Sequence, residues 1–106
     1  MSDEARYTTP DGKFTLLVVP DEDLLGFEEY PWHTHGEFLA SVYKVGSVPE
    51  FLDALFADRL VMAVSRSGDT VHDVCVTADP EAEKEWVKEG EMLELRYWSG
   101  RPYHAG

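Results

Sequence analysis

His33 and His35 stand two residues apart, with Glu37 two further on, and no other residues in the chain come closer to a metal-binding pattern. On an extended strand, side chains at i and i+2 point the same way, so both imidazoles could reach one ion. A metal site needs a further ligand, and spacing fixes none; His72 and His104 are the remaining histidines. The residues just before this pair suggest a second kind of chemistry. Asp21, Glu22, Asp23, Glu28 and Glu29 lie in a stretch without Lys or Arg, and Tyr30 and Trp32 follow at once. Carboxylates pair with Lys and Arg, while Tyr and Trp bury large area at little rotamer cost. Asp21, Glu22, Asp23, Glu28, Glu29, Tyr30, Trp32, His33, His35 and Glu37 are therefore the candidate partner-binding residues. No catalytic set emerges beside them. No serine sits in a nucleophile elbow, and Gly26, Gly36 and Gly46 are isolated, so no glycine loop cradles a phosphate. Close carboxylate pairs are expected by chance in so acidic a chain, and none is assigned to acid-base work. The chain reads as a binder that needs no cofactor; the alternative is a small metal-dependent enzyme built on His33 and His35.

Charge sets what such a binder can touch. Asp and Glu number 21 against 9 Lys and Arg, a formal net charge of −12. A surface of that sign repels nucleic acid and attracts basic partners, which argues against direct nucleic-acid binding. A second acidic cluster, Asp79, Glu81, Glu83, Glu85, Glu89, Glu91 and Glu94, faces only Lys84 and Lys88. Helix capping, dipole placement and a wet helical face account for much of it, which leaves 21–29 as the better site. Hydrophobic residues make up 43% of the chain, so the acidity sits on a foldable framework. Cys75 is the one cysteine, which excludes an intrachain disulfide, and its neighbours Val74 and Val76 suggest a small buried hydrophobe on a strand. The acidic start lacks an apolar leader core, and no apolar run reaches membrane-span length. A cytoplasmic protein without membrane contact is expected.

The elements that must position these residues form one domain over 1–106, with 1–10 and 99–106 open to flexibility. The run 14–19 suits a buried strand, opened by Asp11-Gly12 and closed by Pro20. Residues 26–33 suit a more exposed strand, with Pro31 placing it at an edge. Thr34 and Glu37 have capping-box spacing ahead of a helix over 35–45, and Ser47 and Glu50 repeat it ahead of a helix over 48–59. In the second helix Val48, Phe51, Leu52, Leu55 and Phe56 make one apolar stripe, leaving Glu50, Asp53 and Asp58 to solvent. The runs 60–66 and 71–77 flank Ser67-Gly68-Asp69-Thr70, a hairpin connection. Asp79-Pro80 starts an acidic helix that Gly90 ends, and 92–98 alternates Leu93, Leu95 and Tyr97 against a wet side of Glu94 and Arg96. Trp86, Tyr97 and Trp98 are expected in the core, Tyr30 and Trp32 on the surface. The order ββααββαβ predicts an α+β fold: a mainly antiparallel sheet of about five strands with two to three helices packed on one face.

Two resemblances bear on function. Pro31-Trp-His-Thr-His-Gly-Glu37 resembles part of the first metal motif of cupins, where two histidines and a glutamate hold a metal inside a β-barrel. Glu37 follows His35 too closely for that pattern, no second histidine motif follows, and the helix over 48–59 interrupts the strands a barrel needs. In overall character, a small acidic α+β domain with acidic and aromatic loops resembles the immunity proteins of bacterial polymorphic toxin systems. The segment Glu94-Leu-Arg-Tyr-Trp-Ser-Gly100, preceded by Gly90-Glu91 and Asp79-Pro80-Glu81, adds to that impression. The resemblance implies a basic protein partner, a cognate toxin domain directed at nucleic acid or nucleotide, whose substrate-holding Lys and Arg the carboxylates would occupy. A further reading is a DNA mimic that inhibits a nucleic-acid enzyme, although Lys44, Arg59, Arg66, Arg96 and Arg101 interrupt any regular acidic stripe.

Overall fold

Seven short strands and two α-helices build the protein, described here from a computed structural model over residues 4–103, without the side chains of Asp21 and Trp86. Strands β1 (Ala5–Thr8), β2 (Thr15–Val19), β3 (Leu24–Phe27) and β4 (His33–His35) form an antiparallel meander in that spatial order. Strands β5 (Val61–Ser67), β6 (Thr70–Thr77) and β7 (Met92–Arg96) form a second antiparallel sheet in the order β6-β5-β7. Helix α1 (Val48–Phe56) links the sheets, and α2 (Pro80–Glu83) is a single turn that continues as a 3-10 turn, Lys84–Trp86, so the acidic helix expected to run to Gly90 stops short where Val87 takes an extended backbone. The α+β class and the antiparallel pairing agree with the sequence. Among the described residues the strands number seven instead of about five and divide between two sheets. Among the described residues no helix is long and apolar enough to cross a membrane.

Alternation within the strands decides what is buried. Register pairs Leu16 with Phe27 and Val18 with Leu25, and these side chains enter the core with Phe14. From the second sheet Met62, Val64, Val74 and Val76 meet them, and α1 adds Phe51, Ala54 and Leu55. Phe51 and Leu55 are fully buried, and each such burial contributes about 2–3 kcal/mol. Ser47 caps α1 as expected, accepting from the Glu50 amide at 3.3 Å, while the Glu50 carboxylate reaches back to the Gly46 amide at 2.7 Å. The helix ends at Phe56, short of 59, because Asp58 takes a left-handed backbone with φ 61°. Asp58 is not a solvent-side residue. Its carboxylate, 14% exposed, accepts from the Ser99 amide, the Ser99 hydroxyl and Arg101 Nη2, which ties down 99–101. Burial opposes ionisation there, but these donors hold the carboxyl below its ordinary range.

Three further local expectations change. Residues 26–33 are not one strand: β3 ends at Phe27, residues 28–32 turn, and β4 begins at His33. Thr34 opens no helix. It is buried within β4 opposite Leu25, so a 3-10 turn, Gly36–Phe38, starts without a side-chain cap and runs into one π-helical turn, Leu39–Tyr43. The pull is tertiary: Tyr43 is drawn into the core, where its hydroxyl donates to the Val76 carbonyl at 2.8 Å. In β7 the period of two holds with its faces exchanged. Arg96 pairs with Met62 and is 4% exposed on the core side, while Leu93 and Leu95 lie half-buried on the other face. Arg96 is accommodated by Asp11, whose Oδ2 lies 2.7 Å from Nη1, by the carbonyls of Tyr97 and Trp98, and by the ring of Phe14 at 5.2 Å. Burial disfavours the Asp11 carboxylate, yet the Thr9 hydroxyl, Arg96 and the Lys13 amide together hold its pKa well below the usual range. The expected core position of Trp98 agrees, at 7% exposed; Tyr97 is half-buried and the Trp86 side chain lies outside the described residues.

Candidate functional site

The face of the β1–β4 sheet turned away from the core carries the candidate residues. Gly26 stands between Leu17 and His33 across neighbouring strands, and Leu24 opposes His35, so these side chains share that face. His33 and His35 do point the same way, with ring centroids 5.3 Å apart and planes nearly perpendicular. Phe38, 43% exposed, stands 6.4 Å from the His35 ring. At the other end Trp32 leans on Phe27 at 5.8 Å and Tyr30 on Phe14 at 6.3 Å, both half-buried against the core. They are thus anchored by one edge instead of standing free. Burial, then Glu29, pushes the Tyr30 phenol up. Together with Leu17, Leu24, Gly26 and His33 they line a groove of about 320 Å3.

Backbone geometry keeps this groove in shape. The Trp32 amide donates to Asp73 Oδ1 of β6 at 3.3 Å, and the Tyr30 amide to the Phe27 carbonyl at 3.2 Å, so the 28–32 turn is held from both sides. A Cβ on Gly26 would lie 2.8 Å from the Trp32 carbonyl and 3.1 Å from the His33 Cβ. Only glycine lets Trp32 and His33 fold so closely over the strand.

The acidic residues do not form a single loop. Asp21, Glu22 and Asp23 precede β3 and Glu28 and Glu29 follow it, so four strand residues, about 13 Å, separate the two groups. Each histidine faces one of them. His35 lies at the Asp23 end, where the Gly36 amide donates to the Asp23 carbonyl at 3.0 Å, and a Cβ on Gly36 would overlap the Asp23 carboxylate. His33 lies at the Glu28 end. Arg6 of β1 pairs with Glu28 at 2.8 Å and so neutralises one carboxylate. Glu22, Asp23, Glu29 and Glu37 are exposed and have no ion pair among the described residues. The Asp21 side chain lies outside the description.

Four of the seven carboxylates of the second acidic cluster are occupied, while Glu83, Glu85 and Glu89 have no side-chain hydrogen bond or ion pair among the described residues. The Asp79 side chain caps α2 by accepting from the Ala82 amide, Glu81 pairs with Lys84 at 2.7 Å, Glu91 accepts from the Lys88 amide, and Glu94 pairs with Arg66 at 3.0 Å. Among the described residues no three His, Cys, Asp or Glu side chains gather where a metal could sit, so the histidine pair has no third ligand there. His72 is remote in role, its Nε2 2.9 Å from the Ser67 hydroxyl, and His104 lies outside the description. Cys75 is partly buried, and its thiol is pushed up to about 12 by burial, then by Glu83 and Asp73, which suits the inert packing role expected of it. Sequence patterning missed Phe38, Leu17 and Leu24 as members of the face, because each also fits a core stripe; strand register places Leu17 and Leu24 there, and the 3-10 turn after β4 brings Phe38 beside His35. No family model, curated protein or solved structure matches the chain.

Proposed function

We propose that this chain binds and occludes a basic protein, and that the partner is a toxin domain which it neutralises as an immunity protein. One observation carries the reading: a packed aromatic and histidine face stands between two acidic ends, at which Glu22, Asp23, Glu29 and Glu37 have no ion pair among the described residues. Half-buried Trp32 and Tyr30 lose little entropy when a partner covers them, which is the property of an interface anchor. Free carboxylates on both sides steer a basic surface toward that anchor and fix its register. The mechanism is steric and electrostatic. Partner Lys and Arg that would hold a phosphate-bearing substrate meet carboxylates instead, and the active site is covered.

The test has two stages. Partners are captured from lysate of the source organism on the parent protein and on a variant carrying Trp32→Ala, Glu29→Lys and Glu37→Lys. A partner held by the parent and lost by the variant is then expressed alone and with this chain. Growth arrest that the parent relieves and the variant does not is the expected result. A partner retained by the variant, or one that is harmless when expressed alone, would defeat the reading. Because the carboxylates are exposed, association is expected to slow as salt is raised.

A further inference from the structure

A cleft of about 360 Å3 opens at the end of the core, where the approach to β2 meets the β5–β6 hairpin and β7. Its charges differ from those of the rest of the surface. In a chain with more than twice as many acids as bases, two bases, Lys13 and Arg66, face it together with two acids, Asp69 and Glu94. Arg66 is only partly used. Its Nη1 binds Glu94 Oε1 at 3.0 Å, while Nε is buried with no acceptor among the described residues. An unpaired buried donor is costly, and the Nε and Nη2 edge of a guanidinium is the edge that grips a carboxylate through two parallel hydrogen bonds. The Lys13 ammonium and the Asp69 carboxylate likewise have no ion pair among the described residues.

The cleft is shaped by an irregularity in the hairpin. A bulge shifts the register between Ser65 and Arg66, so that Arg66 pairs with Val71 and His72 is the extra residue. His72 turns out to the Ser67 hydroxyl, and Val71 takes the place on the cleft wall beside Phe14 and Tyr30. Bulges re-aim side chains in this way next to binding sites. The result is an apolar wall with an unpaired cation and an unpaired anion at its rim.

We infer that this cleft binds a free α-amino acid with an apolar side chain. A simple anion would meet Asp69 and Glu94, and a simple cation would meet Lys13 and Arg66; a small zwitterion satisfies both signs at once. Its carboxylate takes the free edge of Arg66, with Lys13 as second partner, its ammonium takes Asp69, and its side chain lies on Phe14, Tyr30 and Val71. Nε sits below the surface of a side chain that is 37% exposed, so binding requires the guanidinium to turn outward toward the carboxylate. The cleft lies toward the small end of ligand-site volumes, which fits a single amino acid better than a peptide.

Titration of the 15N-labelled protein with L-leucine and with L-phenylalanine tests this. Saturable amide shifts at Lys13, Arg66 and Asp69, with Kd near or below about 1 mM, are expected. N-acetyl-L-phenylalanine lacks the ammonium and phenethylamine lacks the carboxylate; each should bind at least about tenfold more weakly. Lys13→Met and Asp69→Asn replace exposed side chains and should each weaken binding about tenfold without lowering the melting temperature. Shifts that do not saturate, that map elsewhere, that are equally strong with the blocked analogues, or that survive both substitutions would overturn the inference. Failure here leaves the protein-binding face untouched, since of the residues named Tyr30 is the one both sites share.

Discussion

Replacing Asp11 by alanine strikes the one place where, among the described residues, the fold keeps a cation in its core. Arg96 is 4% exposed, and its guanidinium would keep two backbone carbonyls, at 3.2 and 3.4 Å, and the face of Phe14, but no counter-charge. Removing one partner of a fully buried ion pair costs about 3–5 kcal/mol. The Asp11 side chain is 31% exposed, so water can partly replace it, and the expected cost falls to about 2–3 kcal/mol. The loss includes the Thr9 hydroxyl bond at 2.6 Å and the Lys13 amide bond at 3.1 Å, which shape the turn between β1 and β2. For a domain of this size the melting temperature should fall by about 10–20 °C. Urea unfolding of the parent, Asp11→Ala, Arg96→Met and the double variant closes a cycle. A coupling energy of at least about 1 kcal/mol is expected, because Met fills the space without needing a counter-charge. An Asp11→Ala protein within about 0.5 kcal/mol of the parent would refute the reasoning, since it would show that the guanidinium is solvated and needs no partner.

Acid should destabilise the fold through the same carboxylates. Asp11 and Asp58 ionise below their ordinary range, so the unfolded chain binds more protons; their stabilisation is complete above about pH 5 and is lost as pH falls below about 4 toward their folded values. Denaturation followed across pH should show that loss, and Asp11→Asn should reduce it. With its thiol pushed up to about 12, Cys75 should react with Ellman's reagent at pH 8 far more slowly in the native protein than in urea, and equal rates would contradict its burial. Gly26→Ala should cost about 1–3 kcal/mol in urea unfolding and weaken partner capture, because the Trp32 carbonyl, which the new Cβ would meet, belongs to the backbone and cannot turn aside.

The sequence revealed elements wherever local chemistry and burial agreed. Ser47, Pro49 and the stripe through Phe51 and Leu55 mark α1, and Gly68-Asp69 marks the hairpin, with Gly68 at φ 57° as the turn requires. It misled where a tertiary contact outweighed a local signal. Thr34 and Glu37 have capping spacing, but Thr34 is needed opposite Leu25 inside β4. The β7 pattern is symmetric to an observer of alternation alone, because a strand with charged and apolar sides can be turned either way. Asp11, which lies 85 positions before Arg96, decides which way it turns. The first strand, Ala5–Thr8, falls in a segment whose composition permits disorder and is held by its register with β2.

The same distinction bears on the candidate site. An acidic, aromatic stretch read along the chain suggests a flexible recognition loop, whereas β3 divides it into two fixed ends with a hydrophobic face between them. A loop would lose its freedom on binding and so give up affinity, but this face is already ordered by the Trp32–Asp73 bond, the close approach at Gly26 and the packing of Phe27 on Trp32. Affinity for a basic partner should therefore depend more on Trp32 and Tyr30 than on any single carboxylate, and the carboxylates should act mainly on association rate. Alanine at Trp32 is expected to raise the dissociation rate of a captured partner. Neutralising Glu29 or Glu37 should slow its association, and should do so less as salt rises.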